Sequence, residues 1–118
     1  VIKADRYRIA QVISNLIDNG IKFTKGGGTV SIKIEKENNN WIMVSIKDTG
    51  IDIDPEIMPR LFSKFVTRSQ QGTGLGLFIS KGIIEAHDGR IWAENNIDRI
   101  GAIFSFSLPL LDQYKETN

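Results

Sequence analysis

Apolar residues recur through the first two dozen positions at helical spacing. Ile9, Val12, Ile13, Leu16, Ile17 and Phe23 share roughly one face when successive residues turn by about 100°. Asp5, just ahead of them, is a residue type that caps helix starts. The pattern therefore predicts a helix to about Phe23, ended by Gly26, Gly27 and Gly28. The period then changes to two. Val30, Ile32 and Ile34 alternate with polar residues, as in a half-buried strand. Asn38, Asn39 and Asn40 make a turn into a second strand over 41–47, with Ile42, Val44 and Ile46 on one face. Asp54 and Pro55 open a short helix that Pro59 cuts off, and a brief helical turn follows over 61–65. The stretch 66–71 is polar and reads as a loop. A helix over 73–87 is expected to turn Leu75, Phe78, Ile79, Gly82, Ile83 and Ala86 towards the core. Strands over 90–94 and 102–108, joined across 95–101, complete the pattern before a polar tail at 112–118.

Strands outnumber long helices, and two strand pairs are hairpins. The expected fold is an α/β (α+β) two-layer sandwich, with a mixed, largely antiparallel sheet covered on one face by helices. A chain of 118 residues supports one core, and no repeat or linker divides it. One domain with its core over about 5–110 is the expectation. A net charge of +1 gives no electrostatic case for nucleic acid or a membrane surface. With no cysteine there is neither a disulfide framework nor a thiolate metal site. No apolar run is long enough to cross a bilayer, and no signal-peptide pattern opens the chain. The expected location is the cytoplasm, with the parent protein either soluble or membrane-anchored. Val1 rather than methionine opens the sequence, so a piece of a longer protein is expected.

Three polar constellations carry the candidate chemistry. Asn15, Asn19 and Lys22 fall within one strip beside the apolar face of the first helix. Asparagine is a poor helix former because its side chain competes for the backbone, and amide oxygens with a cation at this spacing suit Mg²⁺ and phosphate oxygens. Asp48 stands at a strand end, followed by Thr49 and Gly50; it starts a turn or accepts a hydrogen bond from an exocyclic amine. The run Gly72, Thr73, Gly74, Leu75, Gly76, Leu77 leads into a helix. Its backbone amides could cradle an anion such as phosphate.

Taken in order, these segments resemble the catalytic and ATP-binding domain of sensor histidine kinases, the HATPase domain of the Bergerat type. QVISNLIDNGIKFT over 11–24 resembles the N box, and DTGIDI over 48–53 the first glycine box. LFSKF over 61–65 is similar to the F box, and GTGLGL over 72–77 to the second glycine box. HDGRIWAEN over 87–95 and the phenylalanine-rich last strand also match. The resemblance implies the Bergerat ATP-binding fold, ATP and Mg²⁺ as cofactors, and residue roles. Asn19 would hold the metal. Asn15 would stand where hydrolytic relatives keep a glutamate base, and Lys22 would meet the terminal phosphates. Asp48 would read the adenine amine. Gly50, Ile53, Phe65, Arg68, Gly72, Thr73, Gly74, Leu75, Gly76 and Leu77 would line the nucleotide, with Phe62 and Phe65 packing a lid over 66–71. His87, the one histidine, is away from the site and suits a helix C-terminus.

The implied function is to bind Mg–ATP and present its γ-phosphate to a histidine on a separate dimerisation domain in two-component signalling, upstream of a response regulator. The chain alone, expected to be monomeric, would be an ATP-dependent protein-histidine kinase domain that does not phosphorylate itself. Two departures accompany the match. Gly20 stands where alanine is usual, and Asp52 replaces the last glycine of Asp-x-Gly-x-Gly. Asp52 keeps open a second reading, a nucleotide-binding or interaction module without catalysis. A serine-directed kinase of the same fold is a third.

Overall fold

Asp5 fixes where the first helix starts. Its carboxylate Oδ1 accepts the backbone N–H of Tyr7 and of Arg8, at 3.0 and 3.2 Å, which satisfies two of the amides a helix start leaves unpaired. The computed structural model describes residues 4–24, 26–66 and 74–110. Over these, helix α1 (Arg6–Phe23) is followed by strands β1 (Val30–Glu37) and β2 (Trp41–Asp48), a short 3₁₀ turn (Met58–Arg60), helix α2 (Gly76–Ala86), and strands β3 (Arg90–Asn95) and β4 (Ala102–Pro109). Pro59 does not break a helix here; it sits within the first positions of the 3₁₀ turn, where its missing N–H costs nothing. Asn38 takes a left-handed conformation (φ 51°) and turns β1 into β2.

The four strands form one sheet in the order β1-β2-β4-β3. All three pairings are antiparallel, so the largely antiparallel sheet expected from the pattern is antiparallel throughout its described strands. Alternation decides which side is dry. Val44 and Ile46 of β2 pair with Phe106 and Phe104 of β4, and Ile91 and Ala93 of β3 lie on the other flank of the same two phenylalanines. These side chains meet Val12 and Leu16 of α1 and Leu77 and Ile84 of α2 in the core. The opposite face carries Lys33, Ser45, Lys47, Trp92 and Ser105, with the Ser45 and Ser105 hydroxyls 3.0 Å apart. The result is the two-layer sandwich, helices on one face. No helix among the described residues is long and apolar enough to cross a membrane.

Two expectations about buried faces need correction. On β1, Ile32 and Ile34 alternate correctly yet remain 48% and 63% exposed, because the helix layer is centred on the inner strands and β1 is an edge. On α2 the helix starts at Gly76, and its buried positions are Leu77, Ser80 and Ile84. Phe78 and Ile79 are exposed, as is Gly82, so the core-facing stripe is rotated from the one that includes them. Phe62, Phe78, Ile79 and Gly82 instead line a surface groove of about 590 Å³ beside the 61–65 turn.

His87 closes α2 and ties it to the start of α1. Its Nδ1 lies 2.8 Å from the Ile83 carbonyl, and its Nε2 accepts the backbone N–H of Asp5 at 3.0 Å. A carbonyl only accepts and an amide only donates, so the ring is the neutral Nδ1–H tautomer. The favourable placement of a cation at a helix C-terminus therefore does not explain it; a hydrogen bond between two helix ends does.

The rotated stripe can be tested. A Cβ added at Gly82 meets nothing within 4 Å, so Gly82→Ala should stabilise the fold by about 0.5–1 kcal/mol through helix propensity alone. A raised urea midpoint with an unchanged slope is the expected result; a lowered midpoint would place this face in the core after all.

Candidate functional site

The centre of the site is a buried carboxylate. Asp48 ends β2 at 1% exposure, and burying a carboxylate is costly unless it is hydrogen-bonded. Its Oδ1 accepts the N–H of Gly50 at 2.9 Å and the N–H of Ala102, the first residue of β4, at 3.2 Å. The first bond is a local turn; the second reaches 54 residues along the chain. Gly50 has to be glycine for a reason of its own, because a Cβ there would sit 2.0 Å from the carbonyl oxygen of Phe23 at the end of α1. The loop 49–53 thus runs directly against the helix that carries Asn15, Asn19 and Lys22.

Further bonds fasten this loop. The Thr49 N–H donates to the Thr29 carbonyl at 3.1 Å, and the Thr29 N–H returns to the Thr49 hydroxyl at 2.9 Å. The Asn95 amide clasps the backbone of Ile53, accepting its N–H at 2.7 Å and donating to its carbonyl at 2.9 Å. Ile53 itself is a core residue. Asp52 turns its carboxylate to the N–H of Gly101 at 2.8 Å. Among the described residues only Asn38, Phe65 and Asp88 have positive φ without being glycine. Asp52 therefore occupies the position without left-handed strain, which removes the backbone reason for reading it as a lesion.

Asn15 joins α1 to the start of α2. Its Nδ2 donates to the Gly76 carbonyl at 3.4 Å and to the Ser80 hydroxyl at 3.2 Å. Among the described residues no side chain caps α2, and its first turn holds no acidic residue, a helix start suited electrostatically to an anion. Asn19 lies one turn along α1 from Asn15, half-buried, and Gly20 beside it is buried. A Cβ at Gly20 would come 3.3 Å from Val30 and 3.7 Å from the Asp48 Cβ, so α1 comes within contact of Asp48 at Gly20. Lys22 is exposed, its ammonium 5.6 Å from the centre of the Phe23 ring.

One backbone bond joins the described residues on either side of the expected lid. Phe65 (φ 68°) donates its N–H to the Gly74 carbonyl at 2.8 Å, and Gly74 has φ 71°. Phe65 is 67% exposed and Lys64 lies over its ring, whereas Phe62 packs edge-on against Phe104 with centroids 6.3 Å apart. Leu75 precedes α2, and Leu77 belongs to the core. Arg68, Gly72 and Thr73 lie outside the described residues, as does most of the expected lid. Among the described residues no three His, Asp or Glu side chains gather into a metal cage. A hard cation would draw on amide oxygens such as that of Asn19 and on oxygens of a bound ligand, a donor set that Mg²⁺ accepts.

Comparison with known proteins decides the family. The profile described as histidine kinase-, DNA gyrase B- and HSP90-like ATPase matches residues 4–112. The chain belongs to this family. Within it, the chain is a histidine-kinase-type catalytic and ATP-binding domain. It is 43% identical to the phytochrome-like protein Cph1 of Synechocystis over 92% of its own length and 15% of that protein. It is 34% identical to the sensor histidine kinase WalK of Bacillus subtilis over 98% of its length and 20% of that protein. The chain thus spans a small fraction of these curated relatives. Among solved structures, the catalytic domain of histidine kinase ThkA superposes with a TM-score of 0.82 at 38% identity, covering 92% of this chain and 71% of that one. ThkA is also solved in complex with the response regulator protein TrrA.

Sequence reasoning on this ATPase-family domain missed Thr29, Ser80, Asn95, Gly101 and Ala102. Ser80 could have been found as a polar residue on the apolar face of α2, and Asn95 as the end of the matched segment over 87–95. The backbone amides at 101 and 102 leave no mark in a sequence. Because Asp48 Oδ1 holds two amides, Asp48→Ala should cost about 2 kcal/mol or more by leaving buried donors unpaired. Asp48→Asn keeps an acceptor oxygen and should cost clearly less. Chemical denaturation of the two variants measures the difference; equal losses would mean that the bonds to Gly50 and Ala102 contribute little.

Proposed function

We propose that this domain binds Mg–ATP between α1, α2 and the loop 49–53, and presents the terminal phosphate to a histidine on a separate helical dimerisation domain of its parent protein. The observation that carries the reading is the convergence of a buried aspartate, an amide-bearing helix α1 and the start of α2, whose first turn holds no acidic residue, on one side of the sheet. Asp48 accepts from the 6-amino group of adenine, which favours ATP over GTP because guanine has a carbonyl there. Asn15, Lys22 and the amides before α2, with Gly72, Thr73, Gly74, Leu75 and Gly76, serve the phosphates. Gly50, Ile53 and Leu77 wall the base, and Phe65 and Arg68 belong to the lid.

Asn19 would hold Mg²⁺, which supplies charge neutralisation on the phosphates when bound. Phosphoryl transfer needs positioning and charge neutralisation more than covalent help from the protein, and this chain's residues supply the positioning. Asn15 cannot act as a base for water, so ATP is kept for transfer. His87 is not the acceptor in this reading. Both of its ring nitrogens are engaged, with Asp5 and Ile83. The groove lined by Phe62, Phe78, Ile79 and Gly82 offers the helical partner an apolar seat near the start of α2. A response regulator would act downstream in two-component signalling, and the domain would work in the cytoplasm.

Titration calorimetry with Mg²⁺ tests this directly. ATP should bind and GTP should bind more weakly, and Asp48→Asn should weaken ATP by about 1.5–3 kcal/mol, the contribution of a hydrogen bond to a charged group. Equal affinities for ATP and GTP would contradict the assignment of Asp48.

A further inference from the structure

Asp52 is the residue by which this chain departs from the usual glycine box, and its carboxylate is not turned idly to solvent. It accepts the N–H of Gly101 at 2.8 Å. The very next amide, that of Ala102, is the one that donates to Asp48, at 3.2 Å. Two aspartates from one loop therefore hold two consecutive amides at the end of the β3–β4 hairpin. The hairpin end also lies flat on Asp48: Gly101 has φ 141°, and a Cβ on it would sit 2.1 Å from the Asp48 carbonyl oxygen. No residue with a Cβ can take that place, so Gly101 is fixed through its backbone groups alone. On its other side the hairpin is closed by the Asn96 N–H donating to the Gly101 carbonyl at 2.9 Å. Between them lie Ile97 and Ile100, 97% and 67% exposed, so packing does little to anchor this tip.

We infer that Asp52 is a positioning residue for base recognition: by holding Gly101 it keeps Ala102 on Asp48, and so sets the orientation of the carboxylate that reads the base. This rests on the nucleotide reading above. It gives Asp52 a sign opposite to that of a lesion. Replacing it with the glycine usual in the family removes the acceptor of the Gly101 amide, loosens the bond from Ala102 to Asp48, and shifts the orientation of the carboxylate. Discrimination between a 6-amino and a 6-oxo purine then falls, while contacts to the phosphates, which Asp52 does not make in this scheme, are kept.

The test compares the wild-type chain with Asp52→Asn, Asp52→Ala and Asp52→Gly. Amide exchange of Gly101 and Ala102 is followed by NMR without nucleotide, and ATP and GTP are each titrated with Mg²⁺. In the alanine and glycine variants exchange at Gly101 should quicken about tenfold, and the ATP-to-GTP affinity ratio should fall roughly fivefold, a modest coupling between sites. Asp52→Asn retains an acceptor oxygen and should keep both properties near wild type, which a merely structural role would not require of the ratio. Unchanged exchange at Gly101 in Asp52→Ala, or a ratio that is unchanged or higher there, overturns the role of Asp52 alone. A wild-type chain that binds neither nucleotide overturns the nucleotide reading and this role with it.

Discussion

A carboxylate placed almost fully out of water at the end of an inner strand must be met by donors, and most of the site follows from how Asp48 is met. Its Oδ1 takes one amide from its own turn and one from the start of β4. The first demands that residue 50 approach the end of α1 too closely for a side chain. The second demands that the β3–β4 connection return to Asp48 at a fixed height. Thr29 and Asn95 then hold the intervening loop, and Asp52 within it holds Gly101. A loop so fastened is ordered without a ligand, which lowers the ordering cost that the proposed nucleotide binding would otherwise carry.

The two helices divide the remaining work. Each buries a stripe in the same core, Val12 and Leu16 from α1, Leu77 and Ile84 from α2. Beside those stripes Asn15 spans the gap to Gly76 and Ser80, so the strip of α1 and the start of α2 are positioned by one side chain. At the far end of α2, His87 accepts a hydrogen bond from the Asp5 N–H at the start of α1. The helix layer is thereby braced at both ends of α2, and apolar residues that the core does not need are displayed on its outer side.

Local rules explain what could be read in advance. Helix α1 was legible from its cap and its 3.6-residue period, and the strands from their alternation, because both patterns are set by nearest neighbours. The face of α2 was misread since its apolar residues serve two surfaces, Leu77 and Ile84 the core, Phe78 and Ile79 a groove; period alone cannot separate these. The exposure of Ile32 and Ile34 depended on where the helix layer is centred, a tertiary fact. The four boxes carried the residue types Asn15, Asn19 and Asp48 plainly. The clasp of Asn95 on Ile53, 42 residues away, and the paired amides of Gly101 and Ala102 required the folded chain. Asp52 shows the limit most clearly, because in sequence it stands as a missing glycine and in the fold it is a hydrogen-bond acceptor.

The most direct measurement is a crystal structure of the chain with Mg²⁺ and a non-hydrolysable ATP analogue, set beside the nucleotide-free state. The 6-amino group of adenine should lie within hydrogen-bonding distance of the Asp48 carboxylate, with the bonds from Gly50 and Ala102 to that carboxylate preserved in both states. Adenine bound away from Asp48, or a carboxylate that leaves Gly50 and Ala102 to reach it, would contradict a pre-built site.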